Sequence, residues 1–185
     1  MGPSKYIIDT NILIRRSEYD LYSESSFPIH WQNFDNLVNE GVIIATPSVY
    51  KEIEIIEDNI TNWCDNHKKM FKPPHDDKYR EELNLIRNDQ NEWYFSKGES
   101  SLWADRDLII HAKAYNLVLV TQEVWNLNAN KKNYKIPSVC VELGAYCRNG
   151  KECTDNIDPN TAPFHCIDFA ELVKRENLQD PNLFD

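Results

Sequence analysis

Tyr6-Ile7-Ile8-Asp9-Thr10-Asn11 is the stretch that decides how this chain folds. Three consecutive apolar residues leave no solvated face, so the run reads as a strand covered on both sides, with Asp9 emerging at its carboxyl end. Two further runs of this kind follow, Val42-Ile43-Ile44-Ala45 and Leu117-Val118-Leu119-Val120-Thr121, and Phe164-His165-Cys166-Ile167 offers a last one. Helical patterns separate them. Thr10 to Arg16 reads as the first turns of a helix. Pro28 opens another, which carries Trp31, Phe34, Leu37 and Val38 and stops at Gly41. Thr46-Pro47 begins a helix with Val49, Ile53 and Ile56 on one face, and residues 59–91 read as charged helices broken by Lys72-Pro73-Pro74. Ala104 to Tyr115 is helical in pattern, Ile136-Pro137 precedes a short helix ending at Gly144, and Asp168-Phe169-Ala170-Glu171 is a capping box. Strands alternating with helices predict an α/β fold on a mostly parallel sheet.

A length of 185 residues predicts one domain over 1–185, with a helical insertion at about 59–100. Thirty acidic against twenty basic residues leave a net charge of −10, which excludes a protein that coats nucleic acid or anionic membrane by charge alone. An enzyme with a small local nucleic-acid surface remains allowed. At 41% hydrophobic and 11% aromatic, the chain is too apolar for a disordered acidic tail. Five widely spaced cysteines and no secretory pattern at the start predict reduced thiols and a cytoplasmic protein. No apolar run approaches the roughly 20 residues that span a bilayer, so no membrane partner is expected.

Open α/β sheets present ligands at the carboxyl ends of their strands. There the sequence offers Asp9 after the first strand and Thr121-Gln122-Glu123 after the third, with Glu52 about two helical turns beyond the second. Asp105, Leu108, Ile109 and Ala112 recur at i, i+3, i+4 and i+7, which puts Asp105 on its helix's buried stripe. An acid there either caps its own helix or is aimed at a shared site. Asp107, roughly 200° further around, should point elsewhere. Four convergent carboxylates repel one another and raise their own pKa values. A hard divalent cation, Mg²⁺ or Mn²⁺, removes that penalty, and such clusters perform metal-assisted phosphodiester hydrolysis.

At these residues the chain resembles a known family. Tyr6-Ile7-Ile8-Asp9-Thr10-Asn11-Ile12-Leu13-Ile14 is similar to the opening strand of PIN-domain ribonucleases, whose hallmark is Asp-x-Asn. Ala45-Thr46-Pro47-Ser48-Val49-Tyr50-Lys51-Glu52 resembles their second acidic motif. The third, with its strand, is matched by Ala104-Asp105-Arg106-Asp107-Leu108-Ile109-Ile110-His111-Ala112 followed by Leu117-Val118-Leu119-Val120-Thr121-Gln122-Glu123. Glu123 stands where most members have the Asp of a Thr-x-Asp. The tail, from Lys135-Ile136-Pro137-Ser138-Val139-Cys140 to Phe169-Ala170-Glu171-Leu172-Val173, resembles a toxin-type branch of PIN-like proteins, as do the helices around Trp31 and Trp63.

The resemblance implies a three-layer α/β/α sandwich. It assigns Asp9, Glu52, Asp105 and Glu123 as the catalytic, metal-binding set, with Asn11 and Thr121 holding them by hydrogen bonds. Glu123 would complete a second metal site or act through water, and its extra methylene bears more on the second ion than on the first. The implied activity is endoribonuclease cleavage leaving a 5′-phosphate and a 3′-hydroxyl, as in VapC-like toxins silenced by a small antitoxin. The partners this admits are an RNA substrate, an antitoxin protein and a second copy of the chain.

Arg15, Arg16, Lys131, Lys132 and Lys135 leave the sheet on the same edge and are candidates to bind phosphates, against the alternative of a solvated loop. Cys147, Cys153, His165 and Cys166 lack the close-spaced pairs of a zinc site, and Cys140 and Cys166 suit a core. His67, His75, Asp76 and Asp77 flank a Pro-Pro turn and read as solvated surface, while His111 lies too far along its helix from Asp105 to act as a general base. Trp31 and Trp63 suit core packing, and Trp103 and Trp125 flank the acids. Other readings are a DNA- or flap-directed nuclease and a catalytically silent PIN-like binding module. A haloacid-dehalogenase-type phosphatase needs a second Asp where Asn11 stands.

Overall fold

Tyr6–Ile8 forms strand β1 inside a six-stranded sheet in the computed structural model, which describes residues 3–17, 20–56, 59–74, 76–89, 104–125, 130–149, 152–154 and 156–179. The other strands are β2 (Ile43–Ile44), β3 (Val118–Val120), β4 (Tyr146–Asn149), β5 (Glu152–Cys153) and β6 (His165–Ile167), in the order β2-β1-β3-β6-β4-β5. Every pairing is parallel except β4 with β5. Ile7 lies opposite Ile44 on one side and Leu119 on the other, and Cys166 is flanked by Leu119 and Cys147. The three residues of β1 are fully buried, as a strand covered on both faces requires.

The helices are α1 (Thr10–Ile14), α2 (Pro28–Asn39), α3 (Pro47–Ile56), α4 (Asn59–Asn66), α5 (Asp77–Asp89), α6 (Ala104–Tyr115), α7 (Ile136–Glu142) and α8 (Phe169–Arg175). Contacts put α2 and α8 together on one face of the sheet and α6 and α7 together on the other, the arrangement that right-handed crossovers produce for this strand order, so the fold is a three-layer α/β/α sandwich. Trp31 of α2 stacks on Phe169 of α8 with ring centroids 5.3 Å apart, closing the first of these layers over the sheet. Local signals set the helix limits. Pro28 occupies the first turn of α2, Gly41 (φ 77°) and Gly144 (φ 84°) take the left-handed conformation just past α2 and α7, and Asp168 caps α8 by accepting the Glu171 N–H at 2.7 Å.

β4 and β5 are not anticipated by the sequence pattern. Along Tyr146-Cys147-Arg148-Asn149 burial runs half-buried, buried, exposed, buried, so this strand near the sheet edge shows no continuous apolar run. Cys64, Cys140, Cys147 and Cys166 are free and buried, and the Cys166 thiol meets both Cys140 and Cys147 in the core. Among the described residues, the zinc set does not assemble. His165 faces away from its neighbour Cys166 along the strand and places its ring nitrogens against the Pro159 carbonyl and the Arg175 guanidinium, and the Cys153 side chain lies outside the described residues. His67 stacks on Trp63 at 4.2 Å, exposed Asp77 pairs with Arg80, exposed Asp76 accepts from the Tyr79 N–H and the Tyr115 hydroxyl, and His75 lies outside the described residues. Among the described residues, no helix is long and apolar enough to cross a membrane.

Candidate metal centre

The chain leaves β1 toward β2 on one side and returns through β3 on the other, so the loops after β1 and β3 diverge at the carboxyl edge. Asp9 sits in that crevice. Its backbone N–H continues the sheet to the Val120 carbonyl (3.0 Å), and its extended backbone hands the chain into α1. With 5% of its surface exposed, Asp9 Oδ2 accepts hydrogen bonds from Thr121 Oγ1 at 2.8 Å and from Asn11 Nδ2. Asn11 also accepts the Gln122 N–H at 2.9 Å and reaches Thr121 Oγ1 at 3.2 Å, and so ties the two diverging loops together.

Glu52, on the second turn of α3, accepts from Thr10 Oγ1 at 2.5 Å and from the Ala104 N–H at 3.3 Å. Thr10 and Ala104 are the chain neighbours of Asp9 and Asp105, so Glu52 is held between those two acids by the residues beside them. Asp105 occupies the first turn of α6. Asp107 points elsewhere, accepting from Tyr79 Oη at 3.0 Å and from Ser48 Oγ, and it ties α3, α5 and α6 together. His111 is buried, with Nδ1 on the Asp107 carbonyl and its ring against Tyr79, a core residue rather than a base.

Glu123 is anchored differently. Its N–H donates to Thr121 Oγ1 (3.1 Å) and its carbonyl accepts from Asn149 Nδ2 (2.9 Å). One carboxylate oxygen pairs with Lys135 Nζ at 2.9 Å, and the other accepts the Ile136 N–H in the first turn of α7 at 2.7 Å. Neither Lys135 nor the Ile136 N–H is named as a partner of Glu123 by any local pattern. The extra methylene of Glu over Asp is the signal that this carboxylate reaches further.

Electrostatics link the acids. Burial pushes the Asp9 carboxyl up to about 7; the Thr121 hydrogen bond opposes this, and the charges of Asp105 and Glu123 push it further. The hydrogen bond and charge of Glu123 raise Lys135, and Asp105 and Asp9 add to the same field. Among the described residues, no three His, Cys, Asp or Glu side chains close into a preformed ligand cluster. The donor chemistry nevertheless fits one hard divalent cation. Asp9, Asp105 and Glu52 offer carboxylate oxygens, and Asp9 is buried with insufficient positive charge around it. A second ion at Glu123 fits less well, because its charge is already met by the Lys135 ammonium, whereas Glu52 accepts from the neutral Thr10 hydroxyl and Ala104 N–H.

The candidate phosphate-binding cations divide. Arg16 is corrected: its side chain is only 5% exposed, and its guanidinium is spent on Glu24 and Asp35. It packs over the rings of Trp31 and Trp63, so this cation binds the protein's own acids and not a substrate. Arg15 pairs loosely with Asp20 (3.7 Å), lies over Tyr22 and lines a cavity of about 210 Å³ with Gln122 and Asp168. Lys131 pairs with Glu142 at 3.0 Å, and the Lys132 side chain lies outside the described residues. Trp31 is fully buried, Trp63 and Trp125 pack partly against the core, and Trp103 lies outside the described residues.

No curated protein matches the chain. Among solved structures it is similar to PAE2754 from Pyrobaculum aerophilum, at 14% identity over 95% of this chain and 98% of that one. The TM-score is 0.40, a likeness too slight to carry an inference. The family model described as a domain of unknown function, DUF4411, matches residues 6–157, from β1 through all three acidic motifs to beyond β5. The chain therefore belongs to the DUF4411 family.

Proposed function

We propose that this protein is a metal-dependent nuclease of PIN-like type that hydrolyses RNA phosphodiester bonds. The observation that carries the reading is Asp9: a buried carboxyl at the carboxyl edge of a parallel sheet, pushed up to about 7 by burial and by its acidic neighbours. That is the electrostatic state of a site awaiting a cation. Asp9, Glu52 and Asp105 would hold a single Mg²⁺ or Mn²⁺, which supplies charge against the negative charge that develops on the transferring phosphate.

The chain's own residues set the conditions for this. Asn11 and Thr121 orient the Asp9 carboxylate through Oδ2, and Thr10 with the Ala104 N–H does the same for Glu52. Asp9 must release its proton before it can act as a ligand, so metal affinity rises with pH through about 7. Arg15, just past α1, lines a cavity with Gln122 and Asp168 and would be the cation that meets an RNA phosphate. In the same reading the enzyme acts as a toxin, silenced by a small antitoxin protein.

The test is cleavage of matched RNA and DNA oligonucleotides with Mg²⁺, Mn²⁺ or EDTA, by wild type and Asp9→Asn. RNA is cut with either metal, not with EDTA, and not by the variant. Cleavage by Asp9→Asn at the wild-type rate refutes the assignment. Preference for DNA favours a DNA-directed nuclease, and metal binding without cleavage of either polymer favours a silent binding module.

A further inference from the structure

We propose that Lys135 stands in for a second metal ion, so that the centre works with one divalent cation and one ammonium, and that Glu123 is the counter-ion of Lys135 and not a metal ligand. This rests on the metal-nuclease reading above and specifies how its charge is assembled. Lys135 Nζ lies 2.9 Å from Glu123 Oε1, and the Ile136 N–H takes Oε2 at 2.7 Å. Both oxygens accept from nitrogen donors carried by consecutive residues at the start of α7, and one of these donors is a cation, whereas the Thr10 and Ala104 donors to Glu52 are neutral.

Glu123 has little freedom to turn back toward Asp9. Its own N–H is held by Thr121 Oγ1 and its carbonyl by Asn149 Nδ2, which pins the backbone on both sides. Glu123 is 16% exposed and Lys135 is 55% exposed, so the carboxylate is sheltered while the ammonium faces solvent. An ammonium carries three N–H donors, and one of them is used on Glu123. With the side chain 55% exposed, the other two are open to a substrate phosphate. After Glu123, the charges of Asp105 and Asp9 also raise this ammonium, so it lies within electrostatic reach of those acids. A compact, strongly hydrated point charge also resembles an ion beside a phosphate more closely than a planar guanidinium does.

The structure of α7 explains why the arrangement holds. Lys135 has an extended backbone and Ile136-Pro137 begins the helix, so the first N–H groups of α7 need an external acceptor. Glu123 supplies it, and its negative charge is favourable at that end of the helix. The additional methylene of Glu123 lets the carboxylate reach this point while its backbone stays tied to β3 through Thr121.

The experiment is Mn²⁺ titration of the whole chain, with the free ion followed by electron paramagnetic resonance, for wild type, Lys135→Met, Lys135→Arg and Glu123→Gln. Wild type is expected to bind one Mn²⁺ per chain. Lys135→Met frees Glu123 Oε1 and admits a second, weaker ion, while Lys135→Arg keeps the charge and stays at one. Glu123→Gln retains the first ion with an affinity within a few-fold of wild type, because its carboxylate is not a ligand of that ion. Two ions of similar affinity in wild type overturn the inference while leaving the nuclease reading intact. So does a Lys135→Met protein that still binds only one, or loss of the first ion in Glu123→Gln. If wild type binds no Mn²⁺ and Asp9→Asn changes nothing, the metal-centre reading itself falls, and the inference with it.

Discussion

Replacing Asp9 by Asn should stabilise the metal-free protein, although it removes the residue at the heart of the site. A carboxyl that titrates at 3.8 in the unfolded chain and at about 7 in the folded one costs folding about 4 kcal/mol above pH 7, at about 1.4 kcal/mol for each tenfold change in proton affinity. The sign follows from proton counting. Between those two values the folded state binds a proton that the unfolded state does not, so stability is greatest below about pH 4 and falls as pH rises through about 7. Asn keeps an oxygen to accept from Asn11 Nδ2 and Thr121 Oγ1 but carries no charge. Allowing for relaxation around the charge, we expect Asp9→Asn to gain about 2 kcal/mol at pH 8 in EDTA, a Tm increase of roughly 4–8 °C. At pH 4 the gain should vanish. Saturating Mg²⁺ should reverse the order, since an ion at 100 times its Kd adds about 2.7 kcal/mol to wild type and nothing to the variant. Thermal unfolding of both proteins at pH 4 and pH 8, with EDTA and with Mg²⁺, reads all of these differences. If Asp9→Asn is no more stable at pH 8 than at pH 4 relative to wild type, Asp9 is not a strained buried carboxylate and the reasoning fails.

Two further predictions concern the scaffold. Arg16→Met should destabilise the protein by about 2–3 kcal/mol in urea unfolding, because Asp35 and Glu24 lose a charged donor and the guanidinium leaves two indole rings. The same variant should bind Mn²⁺ with unchanged stoichiometry; a changed one would return Arg16 to the site. Asp168→Ala removes the cap of α8 and should lower stability by about 1 kcal/mol, and an unchanged urea midpoint would show that the Glu171 N–H finds another acceptor.

Much of the candidate site's layout was legible from local pattern. The burial of Tyr6–Ile8 follows from three apolar residues in a row, and it delivers Asp9 to the sheet edge. The 3.6-residue period separates Asp105 from Asp107, and Asp107 indeed turns to Ser48 and Tyr79. Arg16 was misread for an equally physical reason. Its partners Glu24 and Asp35 lie 8 and 19 residues ahead, in a loop and in α2, and nothing within a helical turn of Arg16 announces them. The strand β4 was missed because its exposed Arg148 interrupts the apolar run that marks buried strands.

By itself the sequence determined the alternation of strand and helix, the limits set by Pro28, Gly41, Gly144 and Asp168, and the strand-end address of the acids. These depend on hydrophobic period, backbone freedom and caps, all of which act within about four residues. Only the tertiary structure decided what each charge does. Asp9 is raised because burial strips its carboxylate of water and the charges of Asp105 and Glu123 share its crevice, while Thr121, 112 residues away, holds the rise back with a hydrogen bond. Arg16 is sealed under two indoles while Lys135 meets Glu123 in the open. A charge takes its energy from everything within several ångströms in space, and no spacing along the chain encodes that company.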